Sequence, residues 1–200
     1  MNPHPPQIAL FGTSADPPSI GHRSILEWLS QHYDRCIVWV ANNPFKQHQA
    51  TLGQREAMMQ LVIRDIPANN IELHPELAHS RSLITVERAR SRWPHANFTL
   101  AIGADLVPQL PSWYQSAQLL QQVTLLIMPR HGAPLLPQHF ERLQALCAHW
   151  AIAPIGEDIP PVSSTDYRIR GKHSVIIPTV AEYIHRERLY AWDPVSHSTP

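Results

Sequence analysis

The stretch Ile8–His22, IALFGTSADPPSIGH, decides how the rest of the chain is read. Its apolar run from Ile8 to Phe11 stops at Gly12, a small polar turn with two prolines follows, and SIGH then opens an amphipathic segment. The order is strand, loop, helix. Such a junction aims backbone amides and the positive end of a helix at one point in space, which favours a bound anion such as phosphate. Chemistry is therefore expected at this junction.

Working outward, a helix is predicted from about Gly21 to Tyr33, with Ile25, Leu26 and Leu29 on its buried face. The run CIVWVA, Cys36 to Ala41, reads as a strand covered on both faces and completes a βαβ unit. Beyond it NPFKQHQ places Lys46 past the carboxyl end of that strand, where open α/β sheets bind ligands; a solvated loop charge is the other reading. A second helix is predicted from about Gln54 to Asp65, a short strand near Asn70 to His74, and a helix from about Leu83 to Arg92. The strand Phe98 to Ile102 ends in Gly103 and Asp105, a pairing that suits a ribose hydroxyl or the capping of the next helix. Trp113 and Tyr114 stand in a loop rich in proline and glutamine, Pro108 to Leu120, where aromatics stack on a flat ligand ring or cover the core. Val123 to Met128 is another buried strand, leading to Arg130 and Gly132, and Pro137 to Trp150 reads as one helix. In PPVSSTDYRIR, Ser163, Ser164 and Thr165 are suited to capping a helix or to donating to phosphate, with Arg168 one turn along. The segment IPTVAEYIHRERLY reads as a final amphipathic helix.

Composition bounds what such a chain does. Its 200 residues, 44% of them hydrophobic, suit one domain, expected over 7–192 between flexible tails at 1–6 and 193–200. No apolar run approaches the roughly 18 residues of a membrane span, and MNPHPPQ lacks the regions of a signal peptide, so a cytoplasmic location is expected. Cys36 and Cys147 show no CxxC spacing and read as buried thiols. A formal net charge of zero argues against a broad nucleic-acid face. The 13 histidines include no HExxH, so no protein-held metal site is expected. Only Lys46 and Lys172 are lysines, so neither is routine surface filler.

At least five strands alternating with helices make a doubly wound α/β sheet. Neither GxGxxG after the first strand nor GxxxxGK[ST] is present, which removes dinucleotide-dependent oxidoreductases and P-loop enzymes. The motifs SIGH (Ser19 to His22) and VSSTDYR (Val162 to Arg168) resemble the two signatures of the nucleotidylyltransferase superfamily. Within it the chain is most similar to bacterial nicotinate mononucleotide adenylyltransferases, over nearly its whole length: FGTSADPPSIGH, the loop with Asn43, Pro44 and Lys46, Arg55 and Met58, GADLVPQLPSW, Arg130 with Gly132, and the terminal helix all fall in the family's order. Ser19 stands where the family usually has its first histidine, and Arg81 and Ser82 where it usually has Tyr-Thr.

That resemblance implies a Rossmann-like, mainly parallel sheet with helices on both faces. It also implies attack by the 5′-phosphate of nicotinate mononucleotide on the α-phosphorus of ATP, with Mg2+ carried by the ATP phosphates. His22, Lys46 and Arg168 would be the catalytic set. Gly12, Thr13, Ser14, Ser19, Gly21, Gly103, Asp105, Ser163, Ser164 and Thr165 would hold ATP. Arg81, Ser82, Trp113, Tyr114 and Arg130 would hold the mononucleotide. Nicotinamide mononucleotide, phosphopantetheine and a non-catalytic nucleotide-binding module are the alternatives.

Overall fold

A computed structural model describes residues 4–41, 47–130, 132–146, 149–155 and 162–190. Lys46, with Asn43 and Pro44, lies outside the described residues, as do Cys147, residues 1–3 of the first tail and the whole of the second.

Among the described residues six strands form one sheet: β1 (Gln7–Thr13), β2 (Arg35–Val40), β3 (Ile71–Leu73), β4 (Asn97–Gly103), β5 (Thr124–Met128) and β6 (Trp150–Ile152). Their order is β3-β2-β1-β4-β5-β6, and every pairing is parallel. The strand order reverses direction at β1, which pairs with β2 on one side and β4 on the other. At such a switch point the two flanking crossovers leave in opposite directions and open a crevice at the carboxyl ends of the strands.

Side-chain alternation along the strands builds two cores. Ala9, Phe11, Cys36, Val38 and Val40 face helices α1 (Ile20–His32), α2 (Leu52–Asp65) and α7 (Pro178–Arg186) through Leu26, Leu29, Met58, Met59, Val62, Val180 and Ile184. Ile8, Leu10, Ile37, Trp39 and Leu100 face α3 (Ser82–Arg92), α4 (Ser116–Leu120) and α5 (Pro137–Leu146) through Leu83, Val86, Ala89, Leu119 and Leu143. Burial on both faces is why the central strands read as nearly unbroken apolar runs. Cys36 belongs to this interior, and burial pushes its thiol up to about 12.

Two expectations are corrected. The predicted helix Pro137 to Trp150 ends at Leu146, and Trp150 instead pairs with Leu125 as the first residue of β6. That edge strand has three partly or fully exposed residues, too few for an alternation to register in the sequence. The predicted loop from Pro108 to Leu120 is largely helical: residues Ala104–Ser112 wind into a 3-10 helix that contains Pro108 and Pro111, and α4 follows. Val107, Leu110, Leu119 and Leu120 bury one side of it, so apolar packing overrides the prolines.

Candidate active site

The loop from Ser14 to Ser19 is fixed by an aspartate inside it. Asp16 is 3% exposed, and its carboxylate accepts hydrogen bonds from the Gln49 N–H (2.9 Å), the Ala50 N–H (3.2 Å) and the Tyr190 hydroxyl (2.6 Å). His48 Nδ1 stands 3.7 Å away. Beneath the loop the fully buried Arg55 donates to the carbonyls of Ser14 (2.7 Å), Ala41 (2.9 Å) and Ala50 (3.3 Å). Burial pushes the Arg55 pKa down while Asp16 opposes the shift. A buried carboxylate and a buried guanidinium are tolerated here because both are saturated with partners.

Ser19 is the N-cap of α1, with φ −117° and ψ 171°. A capping box ordinarily has a Glu or Gln at the third helical position reaching back to the cap amide. Here His22 takes that place: the Ser19 N–H donates to His22 Nδ1 at 3.0 Å, and Ser19 Oγ lies 3.0 Å from the same nitrogen. Ser19 is 2% exposed, so its hydroxyl is committed to the imidazole. Nε2 of His22 is 2.8 Å from Thr13 Oγ1. Burial, and secondarily the positive charge of Arg130, push the His22 pKa down to about 4, so the ring is neutral at pH 7.

The other predicted residues are placed as follows. Gly21 is buried in the first turn of α1. At Gly12 a Cβ would come within 2.4 Å of the Trp39 ring, so the close approach that this glycine permits is that of the indole. At Gly103 a Cβ would meet Asp105 Oδ1 at 2.4 Å, and Asp105 Oδ2 accepts from Arg130 at 2.8 Å. This pair joins the carboxyl end of β4 to that of β5. Ser163 caps α6 (Ser164–Arg170) reciprocally with Asp166. Ser164 Oγ donates to the Pro17 carbonyl at 2.7 Å, and Arg168 donates to the Asp16 carbonyl and, at 3.2 Å, to Thr165 Oγ1. The late SST-R motif therefore clasps the early one.

At the start of α3 the Arg81 guanidinium lies 4.0 Å over the ring of Tyr114, and Ser82 is the first helical residue. Trp113 packs partly buried against the second core, whereas Tyr114 is 43% exposed. Among the described residues no group of three or more His, Cys, Asp or Glu is clustered to hold a metal.

The structure thus gathers Thr13, Ser19, His22, Ser164 and Arg168 around one loop, links Asp105 to Arg130 across two strand ends, and pairs Arg81 with Tyr114. Sequence reasoning gave no role to Trp39, His48, Gln49, Ala50 or Tyr190. One signal lay in α2, where Arg55 shares the otherwise apolar buried face of Met58, Met59, Val62 and Ile63. An arginine on such a face announces a buried partner.

A strand-one loop at a helix N-terminus is clasped by a second polar motif at the switch point of a parallel sheet, and a family model described as cytidylyltransferase-like matches residues 10–170, so the chain is a nucleotidyltransferase by family. A probable nicotinate-nucleotide adenylyltransferase of Synechocystis sp. is 40% identical over 197 residues, covering 92% of this chain and 98% of the relative. Another from Gemmatimonas aurantiaca is 35% identical over 137 residues, 64% of each chain. The chain belongs to the nicotinate-nucleotide adenylyltransferase family. Its fold matches that of the Plasmodium falciparum nicotinic acid mononucleotide adenylyltransferase complexed with NaAD, with a TM-score of 0.80 at 18% identity, covering 94% of this chain and 98% of the other.

Proposed function

We propose that this chain joins nicotinate mononucleotide to ATP: the 5′-phosphate of the mononucleotide attacks the α-phosphorus, the bond to the β-phosphate oxygen breaks, and deamido-NAD and pyrophosphate leave. The substrate supplies the nucleophile, so the protein needs only to align two polyanions and stabilise charge on phosphate oxygens. The observation that carries this reading is His22 at the N-terminus of α1, bonded to Thr13 and under the charge of Arg130, with Arg168 clasping the same loop at Asp16, in a chain of this family. A neutral His22 suits the task, because it serves as a hydrogen-bond donor and need not give up a proton.

Arg168 and Arg130 supply positive charge, and Lys46 is assigned the same role from the resemblance. Asp105 is assigned to the ATP ribose, which its Oδ1 can meet while Oδ2 keeps Arg130. ATP enters with its Mg2+, which its phosphates hold. Arg81, over the ring of the exposed Tyr114, is assigned to pair with the pyridine carboxylate, and the cation–π contact supports its guanidinium for that role. Small phosphorylated metabolites as substrates fit a cytoplasmic enzyme.

The deciding experiment incubates the protein with ATP, magnesium and, in turn, nicotinate mononucleotide, nicotinamide mononucleotide and phosphopantetheine, and follows pyrophosphate release. The acid mononucleotide is expected to be turned over fastest. Equal rates with the amide would remove the selectivity assigned to Arg81, and release with none of the three would remove the enzymatic reading.

A further inference from the structure

Trp39 is the next-to-last residue of β2, and its ring leans across β1, where Gly12 is its partner in register. A Cβ at Gly12 would stand 2.8 Å from the indole Nε1, so that edge of the ring rests over the backbone one residue before Thr13, the last of its strand. The ring is 5% exposed. An indole N–H only donates, and a buried one ordinarily finds an acceptor. This one has none among the described residues, and the fold does not seal it from solvent. Packing accounts for the ring but not for the N–H, since a phenylalanine would cover Gly12 without leaving a donor unmet. A donor left open at the carboxyl end of a strand, at the switch point of a parallel sheet, lies where such sheets take their ligands.

We infer that the Trp39 N–H donates to the ribose of the pyridine mononucleotide and helps to select that substrate. The inference rests on the adenylyl-transfer reading, which it deepens. On that reading the pyridine end of the mononucleotide lies with Arg81 and Tyr114 at the start of α3, and its phosphate end with His22 at the start of α1. Trp39 stands between the two. Its ring shares a core with Leu83 from the first turn of α3, and it crosses β1 beside Thr13, whose hydroxyl is 2.8 Å from His22 Nε2. What joins a pyridine ring to a phosphate in a mononucleotide is the ribose, whose hydroxyl oxygens are acceptors. A neutral donor suits them, because they bring no charge to be balanced, and a ring already held against Gly12 has little freedom to lose on binding. ATP carries a ribose too, but Asp105, the group assigned to it, follows β4, on the far side of β1 from Trp39.

Two measurements test this. In the wild type, the indole 15N–1H resonance of Trp39 is expected to move downfield on saturation with nicotinate mononucleotide, as an N–H does on gaining an acceptor. Movement of other resonances while that of Trp39 stays in place would overturn the inference and leave the reading of function standing; no movement at any resonance would overturn both. In titration calorimetry, Trp39→Phe, which keeps a ring over Gly12 and removes the N–H, is expected to raise Kd for nicotinate mononucleotide and nicotinamide mononucleotide by a common factor, roughly three- to tenfold, while Kd for ATP with magnesium stays within about twofold of wild type. A factor confined to the acid would put the N–H on the pyridine carboxylate, an equal rise for ATP would mark a general loosening of the fold, and an unchanged Kd would mean that the N–H meets neither mononucleotide; each of these overturns the ribose contact. Should Trp39→Phe fail to fold, the wild-type resonance decides alone.

Discussion

At the scale of single residues, His22 carries the most testable weight. On the proposed function, His22→Ala removes one preorganised donor to the reacting phosphate and is expected to lower kcat on the order of 100- to 1000-fold. The melting temperature is expected to stay within about 5 °C of wild type, because α1 keeps its buried Leu26 and Leu29. A kcat within a few-fold of wild type would cancel the role. The depressed pKa of the same ring has a consequence for stability. An unfolded histidine takes up a proton near pH 6.5, whereas the folded ring does so only near pH 4. Below about pH 6.5 the unfolded state therefore binds more protons than the native state, and His22 makes stability fall as pH drops from about 6.5 to about 4. Melts of wild type and His22→Ala across that window are expected to show the shallower decline in the variant. Parallel declines would mean that the ring is not held neutral.

At the scale of elements, β1 and its turn were legible because each local rule agreed: an apolar run, a glycine, a capping serine and an amphipathic helix. The purpose of the glycine was not. Whether a small residue serves a ligand or a neighbouring side chain depends on the register between strands, and Gly12 pairs with Trp39 across β1 and β2. Since a Cβ at Gly12 would overlap the ring of Trp39, itself 5% exposed, Gly12→Ala is expected to destabilise by about 1–3 kcal/mol, read as a lowered midpoint in urea. An unchanged midpoint would show that the indole steps aside freely. Similarly, the sequence left VSSTDYR open between helix capping and phosphate binding, and the structure shows Ser163 capping while Ser164 and Arg168 hold the first loop. Residue types alone could not reveal this, because the acceptors are backbone carbonyls of Asp16 and Pro17, which any sequence would supply. β6 was missed for a different reason: a three-residue edge strand has neither length nor alternation.

At the scale of the whole molecule, five of the six parallel strands and the helices on both faces of the sheet followed from hydrophobic runs. The hub at Asp16 did not. Its partners come from residues 49, 50 and 190, contacts of high sequence separation that no local pattern announces. Tyr190→Phe removes a hydroxyl from a buried carboxylate, and hydrogen bonds to charged groups are worth roughly 1.5–3 kcal/mol. A loss of that size in urea unfolding is expected, together with a raised KM for ATP, because the amides of Gln49 and Ala50 share the same carboxylate. A Tyr190→Phe protein with wild-type stability and KM would show the hub to be dispensable.

The span of that hydroxyl–carboxylate bond, 174 residues, also sets a timetable for synthesis. Asp16 leaves the ribosome 174 residues before Tyr190, so the nascent chain carries a carboxylate destined for burial while one of its donors has yet to be made. Chains arrested short of Tyr190 are expected to resist proteolysis no better than Tyr190→Phe. The loop that carries Asp16 therefore reaches its final rigidity only after Tyr190 has been made.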